Sequence, residues 1–290
     1  MMPEPSWGVD SEYGRLRDVL LCPPDNFHWL PTSPISQETL DSGARFDRGR
    51  VRDQHAEMVS AYEDSGVRCH FLEPDPELPY QVFARDSSLT TPWGAVITQL
   101  RQRWRRGEDV PVLRFYESSG IEIAEAIRAG SLEGGDVMIV APGRVLIGNG
   151  EARTQETAAR ELAGWFERHG WEARIETFPE QYVHIDVLMT VLAERLAAVC
   201  TEVLSEGLVE WLRGLGFELI EVAAADAFHL GANAICLGEG RVLSAAGARV
   251  LNKAMRAHGL EVLDPELDMF TLGGGGAHCL AQALRRERVG

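Results

Sequence analysis

Five times in this chain a glycine stands directly before a strand-like run, and that recurrence restricts the fold more than any other feature. The copies are Gly66-Val67-Arg68-Cys69, Gly120-Ile121-Glu122-Ile123, Gly170-Trp171-Glu172-Ala173, Gly216-Phe217-Glu218-Leu219 and Gly259-Leu260-Glu261-Val262. A glycine just past a helix end supplies the left-handed residue that stops the helix, and alternation after it suits a strand. The glycines lie 54, 50, 46 and 43 residues apart, a period typical of stacked supersecondary units.

What lies between them fills in the unit. Helical apolar spacing occupies residues 48–65, 154–169, 204–215 and 249–258, with Thr154 the expected cap of the second. Strand-like runs occupy 16–22, 95–100, 187–192 and 196–200, and two hairpins join 137–140 to 145–147 and 234–237 to 242–245. The unit is strand, strand, helix, strand, about five times over. Copies that each bury one face stack most simply around an axis, as a closed α/β ring with the helices outside. No boundary divides it, so one domain over residues 1–290 is expected. Residues 22–45, with four prolines around Phe27, His28 and Trp29, read as a long binding loop or lid.

Charge and cysteines narrow the partners. With 28 basic against 44 acidic residues the net charge is −16, which repels nucleic acid and anionic lipid and favours a small cationic ligand. Five cysteines with no C-x-x-C pair signal neither a disulfide framework nor a zinc site. No signal peptide and no apolar run of bilayer length is evident, so a cytoplasmic protein is expected. A homo-oligomer is compatible with the sequence.

The chemically loaded residues fall at one phase of the repeat, where the post-helix strand gives way to the next unit. They are Arg85-Asp86, Glu133-Gly134-Gly135-Asp136, His184-Ile185-Asp186, Asn233 and Cys279. Each has an ordinary explanation alone: a surface ion pair, a turn, a core histidine, a buried thiol after the flexible Gly273–Gly276. Equal phase in a ring places them together at one end, near the axis. The set is then a thiol nucleophile, a histidine for proton transfer, a carboxylate to orient it and two further carboxylates. Two extra acids are poor company for an oxyanion and good company for a guanidinium, whose N–H fork pairs with carboxylates while its central carbon faces sulfur.

At this point the sequence resembles the guanidino-group modifying superfamily: arginine deiminases, dimethylarginine dimethylaminohydrolases, agmatine deiminases and amidinotransferases. The likeness runs through Phe83-Ala84-Arg85-Asp86, Arg105-Arg106-Gly107-Glu108, Leu132-Glu133-Gly134-Gly135-Asp136, Ala152-Arg153-Thr154, His184-Ile185-Asp186, Gly231-Ala232-Asn233 and Gly274-Gly275-Gly276-Ala277-His278-Cys279. It implies a five-bladed pseudo-symmetric α/β propeller (pentein) of ββαβ units, with no cofactor and no metal. It implies that Cys279 attacks the guanidinium carbon, that His184 protonates the departing nitrogen and then activates water, and that Glu133 orients the site. Asp86 and Asp186 would bind guanidinium nitrogens, Arg105 and Arg153 the substrate α-carboxylate, and the glycines would let backbone pass close to the flat guanidinium.

Members of the superfamily are separated by details. Arg85-Asp86 and His184-x-Asp186 are similar to arginine deiminases and amidinotransferases, whereas dimethylaminohydrolases tend to carry an acid where Arg85 stands and to lack the second aspartate. The compact length resembles the dimethylaminohydrolases, the tail the amidinotransferases, and Glu133-Gly134-Gly135-Asp136 the hydrolases. The expected activity is a cysteine hydrolase of arginine or a methylated arginine, giving citrulline plus ammonia or an amine through a covalent thiouronium. The alternatives are amidino transfer to an amine and, from another class, a non-catalytic binding propeller like the ribosome anti-association factor.

Overall fold

The computed structural model describes residues 7–289. It contains five three-stranded sheets, each with two antiparallel strands followed, after a helix, by a third strand parallel to the second. Four sheets follow the chain: Ser88–Thr91, Gly94–Ile97 and Ile123–Ala126; Val137–Ala141, Arg144–Asn149 and Glu172–Thr177; Met189–Ala193, Leu196–Val199 and Glu218–Glu221; Ile235–Gly238, Arg241–Leu243 and Glu261–Leu263. The remaining sheet joins the two ends of the chain. Gln282–Arg286 pairs antiparallel with Leu16–Leu21, which pairs in parallel with Arg68–Phe71. The expected five-unit propeller is therefore present.

The punctuation works as the sequence implied. Gly66, Gly120, Gly170, Gly216 and Gly259 all have φ between +68° and +87°, a region that strains a residue with a Cβ. Helix starts are less regular. Asp47 caps Arg48–Asp64 by accepting from the Gly49 and Arg50 N–H groups, and Ser205 caps Glu206–Gly214. Thr154 does not cap: its helix runs Glu156–Arg168, and its hydroxyl accepts the Glu133 N–H at 3.1 Å. The stretch read as loop from 22 to 45 contains the helix Pro34–Asp41, whose Ser33 forms a capping box with Ser36. Pro34 at the first turn suits that start, because its missing N–H would have no helical partner.

The first strand of every sheet is almost wholly buried, whereas the third is half-buried or exposed along most of its length. Helices such as Glu156–Arg168 press Ala159, Leu162 and Phe166 inward and turn Arg160 and Glu167 out, each large apolar side chain contributing roughly 1.5–3 kcal/mol by burial. The loaded residues sit just ahead of these innermost strands: Asp86 before Ser88, Asp136 before Val137, Asp186 before Met189, Asn233 before Ile235 and Cys279 before Gln282. Equal phase has become proximity. Among the described residues no helix is long and apolar enough to cross a membrane.

Candidate active site

Cys279 is held by its backbone. The Asn233 carboxamide oxygen accepts from the His278 and Cys279 N–H groups at 3.0 and 3.4 Å, and its nitrogen donates to the Asp186 carbonyl at 3.1 Å. A Cβ on Gly276 would lie 2.6 Å from that same Asn233 oxygen, and one on Gly275 would lie 2.2 Å from the Phe83 ring. The glycines thus make room for the protein's own side chains, while Gly273, Gly274 and Gly275 also line the cavity that Cys279 shares with His184.

Beside the thiol stands His184, buried like its partners. Its Nε2 is 2.9 Å from Glu133 Oε2 and its Nδ1 3.6 Å from Asp86 Oδ1. Both ring nitrogens face carboxylates, an arrangement that only the doubly protonated imidazolium satisfies as donor on each side. Burial works against the charge, but Asp86, Asp136 and Glu133 outweigh it and hold the imidazolium up to about 10. The ring is placed by two local features. Gly135 leaves it space, since a Cβ there would come within 2.6 Å of Nδ1. Val183, at φ +64° and ψ −62°, is the centre of a γ-turn closed by the His184 N–H on the Tyr182 carbonyl at 2.7 Å, a strained geometry for a β-branched residue.

Arg105 ties the carboxylates together. It donates to Asp86 Oδ2 at 2.6 Å through Nη1 and grips Glu108 through Nε and Nη2 at 2.9 and 2.8 Å. Nη1 also lies 3.7 Å from Glu133. Asp86, Glu133 and His184 offer ligand atoms within 4.8 Å of one another, spacing that suits a metal ion, but the cation seated against them is this guanidinium. Arg153 places Nη1 3.6 Å from Glu133 and donates from Nη2 to the Thr32 carbonyl at 2.8 Å. Burial alone would raise Glu133, yet Arg153, His184 and Arg105 hold it well below the carboxylate range.

Asp186 also reaches the sulfur, its Oδ2 3.6 Å from Cys279 Sγ and 2.8 Å from His278 Nδ1. The His278 Nε2 is 3.7 Å from Glu12, and Glu12 pairs with Arg85 at 3.1 Å. This buried chain was not legible in the sequence: Glu12 sits in a segment without periodicity, and His278 showed only as a neighbour of the cysteine. Arg85 and Asp86 are likewise no surface ion pair; both are buried and engage different partners. Burial, with the Asp186 and Asp86 carboxylates, holds the Cys279 thiol well above its ordinary range.

Asp86, Arg105, Arg153, His184 and Cys279 line one cavity of about 20 Å³, roofed by Thr32, Ser33, Tyr80 and Phe83. That volume holds roughly one water molecule. Glu133 and Asp186 stand behind its wall. Thr32 and Ser33 belong to the 22–45 segment, which is pinned by Trp29 Nε1 on the Met269 carbonyl at 2.7 Å, by the Tyr80 hydroxyl on the Leu30 carbonyl at 3.2 Å and by Phe27 stacked on Phe270.

A family model described as "N,N dimethylarginine dimethylhydrolase, eukaryotic" matches residues 32–286. The chain is 26% identical over 282 residues to YkgA, an uncharacterized protein of Bacillus subtilis, covering 95% of this chain and 94% of that one. It is 27% identical over 239 residues to an N(G),N(G)-dimethylarginine dimethylaminohydrolase of Pseudomonas aeruginosa, covering 81% and 89%. The fold is similar to that of the N-terminal domain of ArgZ, an arginine dihydrolase from cyanobacteria, with TM-score 0.79, 18% identity and coverage of 93% and 98%.

Proposed function

This chain belongs to the N,N-dimethylarginine dimethylhydrolase family, hydrolases of a carbon–nitrogen bond in arginine-type guanidines, and on that premise we propose that Cys279 is its nucleophile and that it releases citrulline. The observation that carries this reading is the shared cavity in which Cys279 meets an imidazolium, His184, and a carboxylate, Asp86. An incoming guanidinium replaces the Arg105 Nη1 on Asp86, one planar cation exchanged for another. Its positive charge offsets the carboxylates that disfavour the thiolate, so the thiol releases its proton to solvent water as substrate binds, His184 being already protonated. Sulfur adds to the guanidinium carbon, the departing nitrogen takes a proton from His184 and leaves as ammonia or an amine, and a thiouronium remains on Cys279. The neutral His184 then accepts a proton from water as it attacks, and the carbon–sulfur bond breaks. Glu133 holds the ring in place through Nε2. Arg153, and Arg105 once released from Asp86, receive the α-carboxylate.

Asp186 narrows the substrate. At 3.6 Å from Sγ, though behind the cavity wall, it is near enough to meet a nitrogen of a guanidinium drawn onto the sulfur, and a dimethylated nitrogen turned that way has no N–H to give it. We therefore place arginine and monomethylarginine ahead of asymmetric dimethylarginine. A panel of guanidino compounds, read by product mass, tests this order. Asymmetric dimethylarginine as the preferred substrate would remove Asp186 from guanidinium contact, and products formed only with an added amine would indicate transfer.

A further inference from the structure

Behind the nucleophile runs a second acid–imidazole–acid chain that the catalytic cycle above does not use. His278 precedes Cys279 in sequence but turns away from the cavity, and it is buried. Its Nδ1 lies 2.8 Å from Asp186 Oδ2 and its Nε2 3.7 Å from Glu12 Oε2. Both acceptors are buried carboxylates, so the neutral ring, which has one N–H, would leave a lone pair facing a carboxylate on one side.

We propose that His278 is a positioning residue that fixes Asp186 as an oriented carboxylate against the Cys279 thiol, an inference that rests on Cys279 being the nucleophile. Without it, Asp186 would keep the Cys279 thiol as side-chain donor but lose its nearest positive partner, leaving only the charges of His184 and Arg85, so that its own charge would bear on the sulfur with less compensation. Three charged groups face His278: Asp186, Glu12 and Arg85. Burial and the Arg85 guanidinium oppose its protonation, and the two carboxylates outweigh them, leaving His278 above its ordinary range and Asp186 below the carboxylate range. Glu12 is itself anchored, by Arg85 at 3.1 Å and with Arg286 4.0 Å away. The arrangement balances the charge of Asp186 on the side away from substrate. The carboxylate stays ionised for the guanidinium while its burden on the thiol is reduced.

The test needs no substrate. Alkylation of Cys279 by iodoacetamide is followed against pH by peptide mass, which separates it from the half-buried Cys69. His278→Ala removes the counter-charge, so alkylation at a given pH below the thiol ionisation slows by about tenfold and the profile moves up by about one pH unit. His278→Asn, which keeps one donor and no charge, is expected to fall between the two. In an Asp186→Asn background the His278 replacement adds less than about twofold, because the carboxylate through which it acts is gone. An unchanged profile in His278→Ala, or the same slowing with and without Asp186, overturns the proposal. If the alanine variant does not fold, an unchanged profile in His278→Asn overturns it equally. A wild-type protein that hydrolyses no arginine would sink the proposed function and leave this readout standing.

Discussion

His184 shows how much one side chain takes from its surroundings. Its two ring nitrogens meet Glu133 and Asp86, so in the proposed reaction it starts out carrying the proton that the leaving nitrogen needs. His184→Asn is expected to lower kcat by about a hundred- to ten-thousandfold, while iodoacetamide still reaches Cys279. Equal loss of both would mean a collapsed site and not a missing acid. Since the carboxylates outweigh burial and hold the imidazolium to about 10, its deprotonation cuts kcat/KM only near that pH; a fall near 6.5 would contradict the assignment. Cys279, His184, Glu133 and Asp86 were legible because they share a phase of the repeat. His278 and Glu12 were not, because phase does not say which way a side chain turns, and Thr154 looked like a cap because nothing local reveals that its hydroxyl accepts from Glu133.

At the scale of single elements, the γ-turn at Val183 is the least relaxed piece of backbone beside the site. A β-branched residue at φ +64° costs on the order of 1–3 kcal/mol, and the turn sets the direction from which His184 meets Glu133. Val183→Gly relieves the strain but frees the turn and removes a side chain from the cavity wall. The expected result is an unfolding free energy unchanged or raised by about 1 kcal/mol together with a kcat lowered by about tenfold or more. A destabilised variant with normal kcat would show that the turn is neither strained nor positioning. The helix Pro34–Asp41 carried its own signal, Ser33-Pro34 with Ser36 three residues after the cap, but the proline density around it favoured reading a loop. That the segment roofs the cavity is a tertiary fact, made by Thr32 and Ser33 meeting Arg153 and Gly274, and no local pattern encodes it.

The whole molecule concentrates buried charge at one end of a ring, and its stability should report that. Asp86, Asp136 and Glu133 keep His184 protonated in the folded chain up to about 10, against 6.5 for an ordinary histidine. Its contribution is whole below pH 6.5 and is lost as pH rises toward 10. Burial pushes Glu108 and Asp136 up to about 7, so their contributions already decline between about pH 4 and 7. On the acid side Glu12, Glu133 and Asp186 are held low despite burial by Arg85, Arg153 and His278 respectively, with His184 also acting on Glu133, and stability falls below about pH 4 as they protonate. The urea midpoint measured at constant ionic strength is expected to drop steadily from pH 6.5 to 10; a flat or rising midpoint would contradict the charge states assigned to the site. The ring itself was readable because cap glycines mark each unit independently of the core. The pairing of Gln282–Arg286 with Leu16–Leu21, by contrast, joins segments far apart in the chain.

The central claim is that Cys279 attacks a guanidinium carbon and that water then displaces it. Its most direct test is incubation of the purified protein with arginine in oxygen-18 water, without any amine acceptor, and mass analysis of the product. The account predicts citrulline bearing one heavy oxygen, formed by the wild type and not by Cys279→Ser. No citrulline until an amine is added, or the same citrulline from Cys279→Ser, would contradict it.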